Sequence, residues 1–272
     1  MSRNQDRLGG AQQQDTNPPV AAMGEGGFSF VVPTEFVELP SKGQYYPEGH
    51  PLCGESSIEI KQMTAKEEDL LTSRTLLKKG VALDRVISSL IVNKTIDPDS
   101  LLVGDRNAII VSTRVSAYGN DYTTKVTCPA CAATQKYSFN LNSVDIYHGE
   151  DSDTANVTDN GDGTFNVQLE RTKVTATFKL LTGRDEKAFL SGAELDKKQK
   201  VDRNVTRQLF GMLVAVNNDA GAEAINYLVH NMPAADTRQL RLAYRLTSPN
   251  IDMTQYFECS ECSHEQDMEV PL

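Results

Sequence analysis

Two Cys-x2-Cys turns, Cys128-Pro-Ala-Cys131 and Cys259-Ser-Glu-Cys262, stand far apart in a chain of 272 residues. A tetrahedral metal shell needs four ligands, and one such turn supplies two thiolates from a single tight knuckle, so two knuckles complete one shell. The flanks match as well. Tyr122 to Val126 precede the first knuckle and Tyr137, Phe139 and Leu141 follow it; Tyr256 and Phe257 precede the second, and Met268, Val270 and Leu272 follow. Alternation of this kind predicts short strands, and the pattern as a whole predicts a split zinc ribbon on Cys128, Cys131, Cys259 and Cys262.

Two isolated Cys-x2-Cys turns, or a redox dithiol, are the competing readings. A redox motif comes once and beside a βαβ pattern, which this chain lacks. His264 falls two residues after Cys262, outside the usual ligand spacing, and reads as a surface residue of the knuckle. Cys53 has no partner at useful spacing and is expected as a small apolar core residue. Four cysteines leave no open position for water or substrate, so one zinc per chain would be structural and would tie residues near 260 to the middle of the chain.

The charge narrows the partners. A net charge of −10 disfavours duplex nucleic acid, which is bound largely through clustered Lys and Arg. Glu261, Glu265 and Asp267 around the second knuckle would repel phosphate. No apolar run approaches the ~20 residues of a membrane span, and no apolar segment follows Met1-Ser-Arg to make a secretory signal. Paired knuckles without a signal predict assembly in a reducing cytoplasm.

The fold class expected is α+β. Residues 1–27, rich in Gln, Gly, Asn and Pro, read as an arm without a fold of its own that becomes ordered on neighbouring subunits. Residues 28–121 read as an α+β module, 122–149 with 250–272 as the split ribbon, and 150–249 as an inserted β-hairpin with helices. In the module, Ser57 to Gln62 predicts a strand, and the capping box Thr64-Ala-Lys-Glu67 opens a helix over 65–79 with Gly80 as its cap. A second helix is expected from Asp84 and a third over 105–117, with Ile109, Ile110, Thr113 and Val115 inward. Asn160-Gly161 and Asp162-Gly163 predict a hairpin turn in the acidic stretch 150–162; the spacing of its carboxylates does not suit calcium. Two strands surround Glu170-Arg-Thr. Beyond Gly183, Val201, Val205, Leu209, Met212, Leu213 and Val216 keep helical spacing over five turns, 222–231 forms a helix, and Asp236-Thr-Arg-Gln239 caps one that ends before Pro249.

No Walker loop, GxGxxG, GxSxG or HExxH is present, and His50, His148, His230 and His264 lie in unrelated settings, so no enzyme is expected. Leu39-Pro-Ser-Lys-Gly43 with Tyr46, Thr64-Ala-Lys-Glu-Glu68, Gly104-Asp105-Arg106, Arg114-x-x-Ala117-Tyr118-Gly119 and Cys128-Pro-Ala-Cys131, in that order, resemble the baseplate protein family of T-even-like contractile-tailed phages. The resemblance covers about residues 36 to 145, with the second knuckle closing it; residues 150–249 carry no motif of the family. It implies a hub or wedge component of the tail baseplate, made in the host cytoplasm and bound to other tail proteins in a multi-subunit assembly. The alternatives are a tail-assembly factor absent from the mature virion and a zinc-ribbon nucleic-acid adaptor.

Overall fold

In the computed structural model the described residues are 21–23, 29–150 and 156–271. The expected arm lies outside them except for Ala21–Met23 (β1), which pairs antiparallel with Ser29–Val31 (β2). Thr34–Glu38 (β3) pairs with Ser57–Lys61 (β4), and their alternation buries Val37, Ile58 and Ile60. Where one helix over 65–79 was expected there are two, Ala65–Thr72 (α1) and Arg74–Lys78 (α2), separated by extended Ser73. Thr72 Oγ1 bonds back to the Glu68 carbonyl at 3.0 Å, a contact that competes with helix continuation. Ala82–Leu90 (α3) starts two residues before the expected Asp84.

Val103–Tyr118 (α4) also starts early. A Cβ on Gly104 would lie 2.0 Å from the Pro249 carbonyl oxygen, so only glycine lets this helix start against the backbone of residues 249–250. Asp121–Thr127 (β5), Thr134–Asn140 (β6) and Asp145–Tyr147 (β7) follow. Next come Val157–Asp159 (β8), Thr164–Gln168 (β9) and Thr175–Lys179 (β10). The expected hairpin turn joins β8 to β9: Asp159 and Asp162 accept the amides of Gly161 and Thr164, which uses their carboxylates in the turn itself. Residues 151–155 of the acidic stretch lie outside the described residues.

The long helical stripe is corrected. Gly183–Gln199 (α5) ends at left-handed Lys200, Asn204–Met212 (α6) carries Leu209 and Met212 inward, and Leu213–Val216 (β11) is a strand that completes an antiparallel sheet of order β11-β10-β9-β8. Val201 and Val205 are exposed. Leu213 and Val216 keep the i, i+3 spacing of a helix, which in a strand sends them to opposite faces, and the edge that β10 offers decides for the strand.

Ala222–Asn231 (α7) and Ala234–Thr247 (α8) come next. Asp236 does not cap α8. It sits buried in the first turn and accepts the Arg171 and Thr172 amides at 2.9 Å and the Thr172 hydroxyl at 2.8 Å, while Gln239 bonds Glu170 and Gln168. The β9–β10 turn presents two amides to α8, which supplies their acceptor. Asn250–Asp252 (β12), Thr254–Glu258 (β13) and Glu265–Glu269 (β14) finish the chain, β12 pairing with β7.

One apolar core draws on residues from Val37 to Ile109 and again from Val157 to Ala243, with Phe165 stacked on Phe178 at 5.5 Å. A second, small core of Val126, Phe139, Leu141, Phe257 and Val270 lies around the cysteines. Cys53, expected inside, is exposed, because its loop turns Leu52 inward instead.

Polar contacts lock the module. Asp105, fully buried, accepts the Ser41 amide at 3.0 Å, the Ser41 hydroxyl at 2.6 Å and the Tyr46 hydroxyl at 2.7 Å. Arg106 joins Asp84 at 2.6 Å, the Pro98 carbonyl at 3.0 Å and Glu186 at 3.2 Å, so α3, α4 and α5 share one cation. Glu67 accepts the Thr64 amide and hydroxyl and the Ser89 hydroxyl. Burial works to raise its pKa, but the Ser89 and Thr64 bonds outweigh that and hold it down to about 2. Its folded value lies below the unfolded one of about 4.3. Its stabilisation is therefore present above that unfolded value and is lost as pH falls toward 2. The stability gap between wild type and Glu67→Gln in denaturant titrations should narrow between about pH 5 and pH 3. A gap independent of pH rejects this account.

Candidate metal centre

β5 and β6 form one hairpin and β13 and β14 another, each turning through a Cys-x2-Cys knuckle. The knuckles are built alike. In the first, Cys128 N–H donates to the Ala133 carbonyl and Ala132 N–H to the Cys128 carbonyl, both at 2.9 Å; in the second, Cys259 bonds His264 and Ser263 bonds Cys259 at the same distances. Ala132 and Ser263, each just after the second cysteine, take left-handed φ values of 59° and 52°. That reversal points both sulfurs of a knuckle to one side.

The sequence placed Cys128, Cys131, Cys259 and Cys262 together, and the four sulfurs lie within 4.8 Å of one another. Cys128 Sγ is 3.8 Å from Cys262 and Cys131 Sγ is 3.7 Å from Cys259. Such a cluster could hold a metal ion. Cys128 and Cys259 are buried, Cys131 and Cys262 exposed. Thiols this close cannot all ionise together. The backbone amide of Cys131 lowers Cys128 to about 7. Cys262, although aided by the amide of His264, is pushed up to about 12 by Cys131 and the other sulfurs. A cation at the centre would remove that conflict. His264 stays outside the cluster, its Nε2 3.4 Å from Gln266 Oε1.

Two glutamines that sequence reasoning passed over join the hairpins. Gln135 donates to the Glu258 carbonyl at 3.0 Å and accepts the Ser260 amide at 2.9 Å; Gln255 donates to the Asn140 carbonyl at 2.8 Å and accepts the Asn140 amide at 3.1 Å. Each side chain acts as a strand residue would. Tyr137 packs on Phe139 and Phe257 between the hairpins, with centroids 5.0 and 5.1 Å apart. The second hairpin exposes Glu258, Glu261, Glu265, Asp267 and Glu269, and Glu258 faces Glu265 directly. Lys125 and Lys136 face each other on the first.

The remaining histidines are engaged in packing. His50 stacks on Tyr46 and bonds Ser100, His148 meets the Pro40 carbonyl, and His230 lies edge-on to Phe210. No helix among the described residues is long and apolar enough to cross a membrane. No curated protein and no solved structure matches the chain. The family described as T4 bacteriophage base plate protein matches residues 32–270, a span that takes in both knuckles and the stretch 150–249. The chain belongs to that base plate family.

Proposed function

We propose that the chain is a structural subunit of a contractile phage tail, placed in the hub or wedge of the baseplate and bound there to other tail proteins, with one zinc ion per chain as a structural staple. The observation that carries the reading is the family match over residues 32–270. Zinc suits the cysteines: with Zn–S bonds of about 2.3 Å, a regular tetrahedron has an S–S edge of about 3.8 Å. The sulfur pairs at 3.7 and 3.8 Å agree with that edge. Cys128, Cys131, Cys259 and Cys262 would hold the ion with no position open to substrate, so it would stabilise the ribbon and do no chemistry. The carboxylates exposed on the second hairpin oppose a nucleic-acid adaptor, which would need a basic face there.

Mass spectrometry of purified virions and of tail-assembly intermediates tests the placement. Fixed copy number in both is expected. Presence in intermediates alone makes the chain an assembly factor; absence from both, with tight binding of DNA or RNA by the purified chain, rejects the baseplate role for the adaptor.

A further inference from the structure

A cavity of about 120 Å³ opens between α1, α3 and α4, away from the cysteines. Leu71, Val86, Leu90 and Ile110 wall it, and Thr113 completes the lining. Thr113 is only 8% exposed, yet its hydroxyl has no hydrogen-bond partner. A helical threonine can return its hydroxyl to the carbonyl one turn earlier, and this one does not. Arg114 stands at the mouth, its guanidinium 4.9 Å from the ring centre of Tyr118 and 5.5 Å from that of Tyr122. It donates to the Gly119 carbonyl and makes no ion pair among the described residues. Stacked arginines of this kind keep a fixed fork for a carboxylate.

These features describe a receptor for one residue and its neighbour. An apolar cavity of about 150 Å³ holds a benzene molecule, so this one suits a single leucine-sized group. We propose that it receives a leucine or methionine side chain of a partner protein from a segment in which an aspartate or glutamate is adjacent. The carboxylate pairs with Arg114. That the partner is another tail protein rests on the reading above; the chemistry of the pocket does not.

The test uses the full chain with labelled methyl groups, titrated with acetyl-Gly-Leu-Glu-Gly-amide and with the same peptide carrying Gln for Glu. Saturable shifts at the methyl groups of Leu83, Ile110 and Thr113 are expected, with the Gln peptide roughly fivefold weaker. Arg114→Gln should bring the two peptides level. No saturable shift, equal affinity for the two peptides in wild type, or tighter binding of hexanoate than of either peptide overturns the proposal, the last in favour of a lipid. All of these are read on the isolated chain, so they fail independently of the virion measurement.

Discussion

Cys259→Ala should abolish stoichiometric zinc binding by the purified chain and melt the two knuckle hairpins while leaving the larger core folded. Cys259 is buried at the centre of the small core, and its sulfur is one of the four that close the cluster. Among the described residues that core has Val126, Phe139, Leu141, Phe257 and Val270 as its large buried side chains, too few to order two hairpins without a staple. Structural zinc in small modules is worth about 10–16 kcal/mol at neutral pH, and a three-cysteine remnant forfeits much of it. Metal analysis should fall from one ion per chain to well below it. Amide exchange should lose protection in β5, β6, β13 and β14 but keep it in α4 and β10, whose side chains belong to the other core. Full metal content with an unchanged unfolding midpoint would falsify the staple. A strong chelator applied to wild type should reproduce the variant.

Asp105→Ala is expected to cost about 3–5 kcal/mol, because it strands the Ser41 amide and two buried hydroxyls. These donors lie 59 and 64 residues away in the chain and fix the 39–56 loop to α4. Burial works against the carboxylate and raises its pKa, while the three donors oppose that shift. Asp105→Asn keeps an acceptor for the Ser41 amide and should cost less, about 1–2 kcal/mol. Denaturant unfolding of both variants is the measurement. Equal, small losses would show that the network contributes little.

The cysteine cluster was legible because four thiolates at fixed spacing admit few geometries, and the helix over Ala222–Asn231 was legible because Ile225, Leu228 and Val229 keep helical spacing. What escaped depended on contacts distant in sequence. Asp236 has the spacing of a cap, and only the tertiary position of the β9–β10 turn turns its carboxylate to Arg171 and Thr172. Leu213–Val216 became a strand because β10 offered an edge. Gln135 and Gln255 gave no signal, since a glutamine beside a strand is ordinary until the opposite hairpin is placed. The ordered string behind the family resemblance acquires a physical sense: Ser41, Tyr46 and Asp105 bond one another, and Arg106 binds three elements.

The two cysteine knuckles stand 128 positions apart in the chain, from Cys131 to Cys259. At ribosomal rates of about 5–20 residues per second, that interval lasts roughly 6 to 25 seconds. Throughout it a nascent chain carries Cys128 and Cys131 without Cys259 and Cys262, and β7 waits for β12. Everything that completes the larger core, from β8 to α8, is synthesised before the second knuckle emerges. The two knuckles can thus meet only in chains whose larger core has already been synthesised, and a neighbour that needs them together is presented with no shorter product.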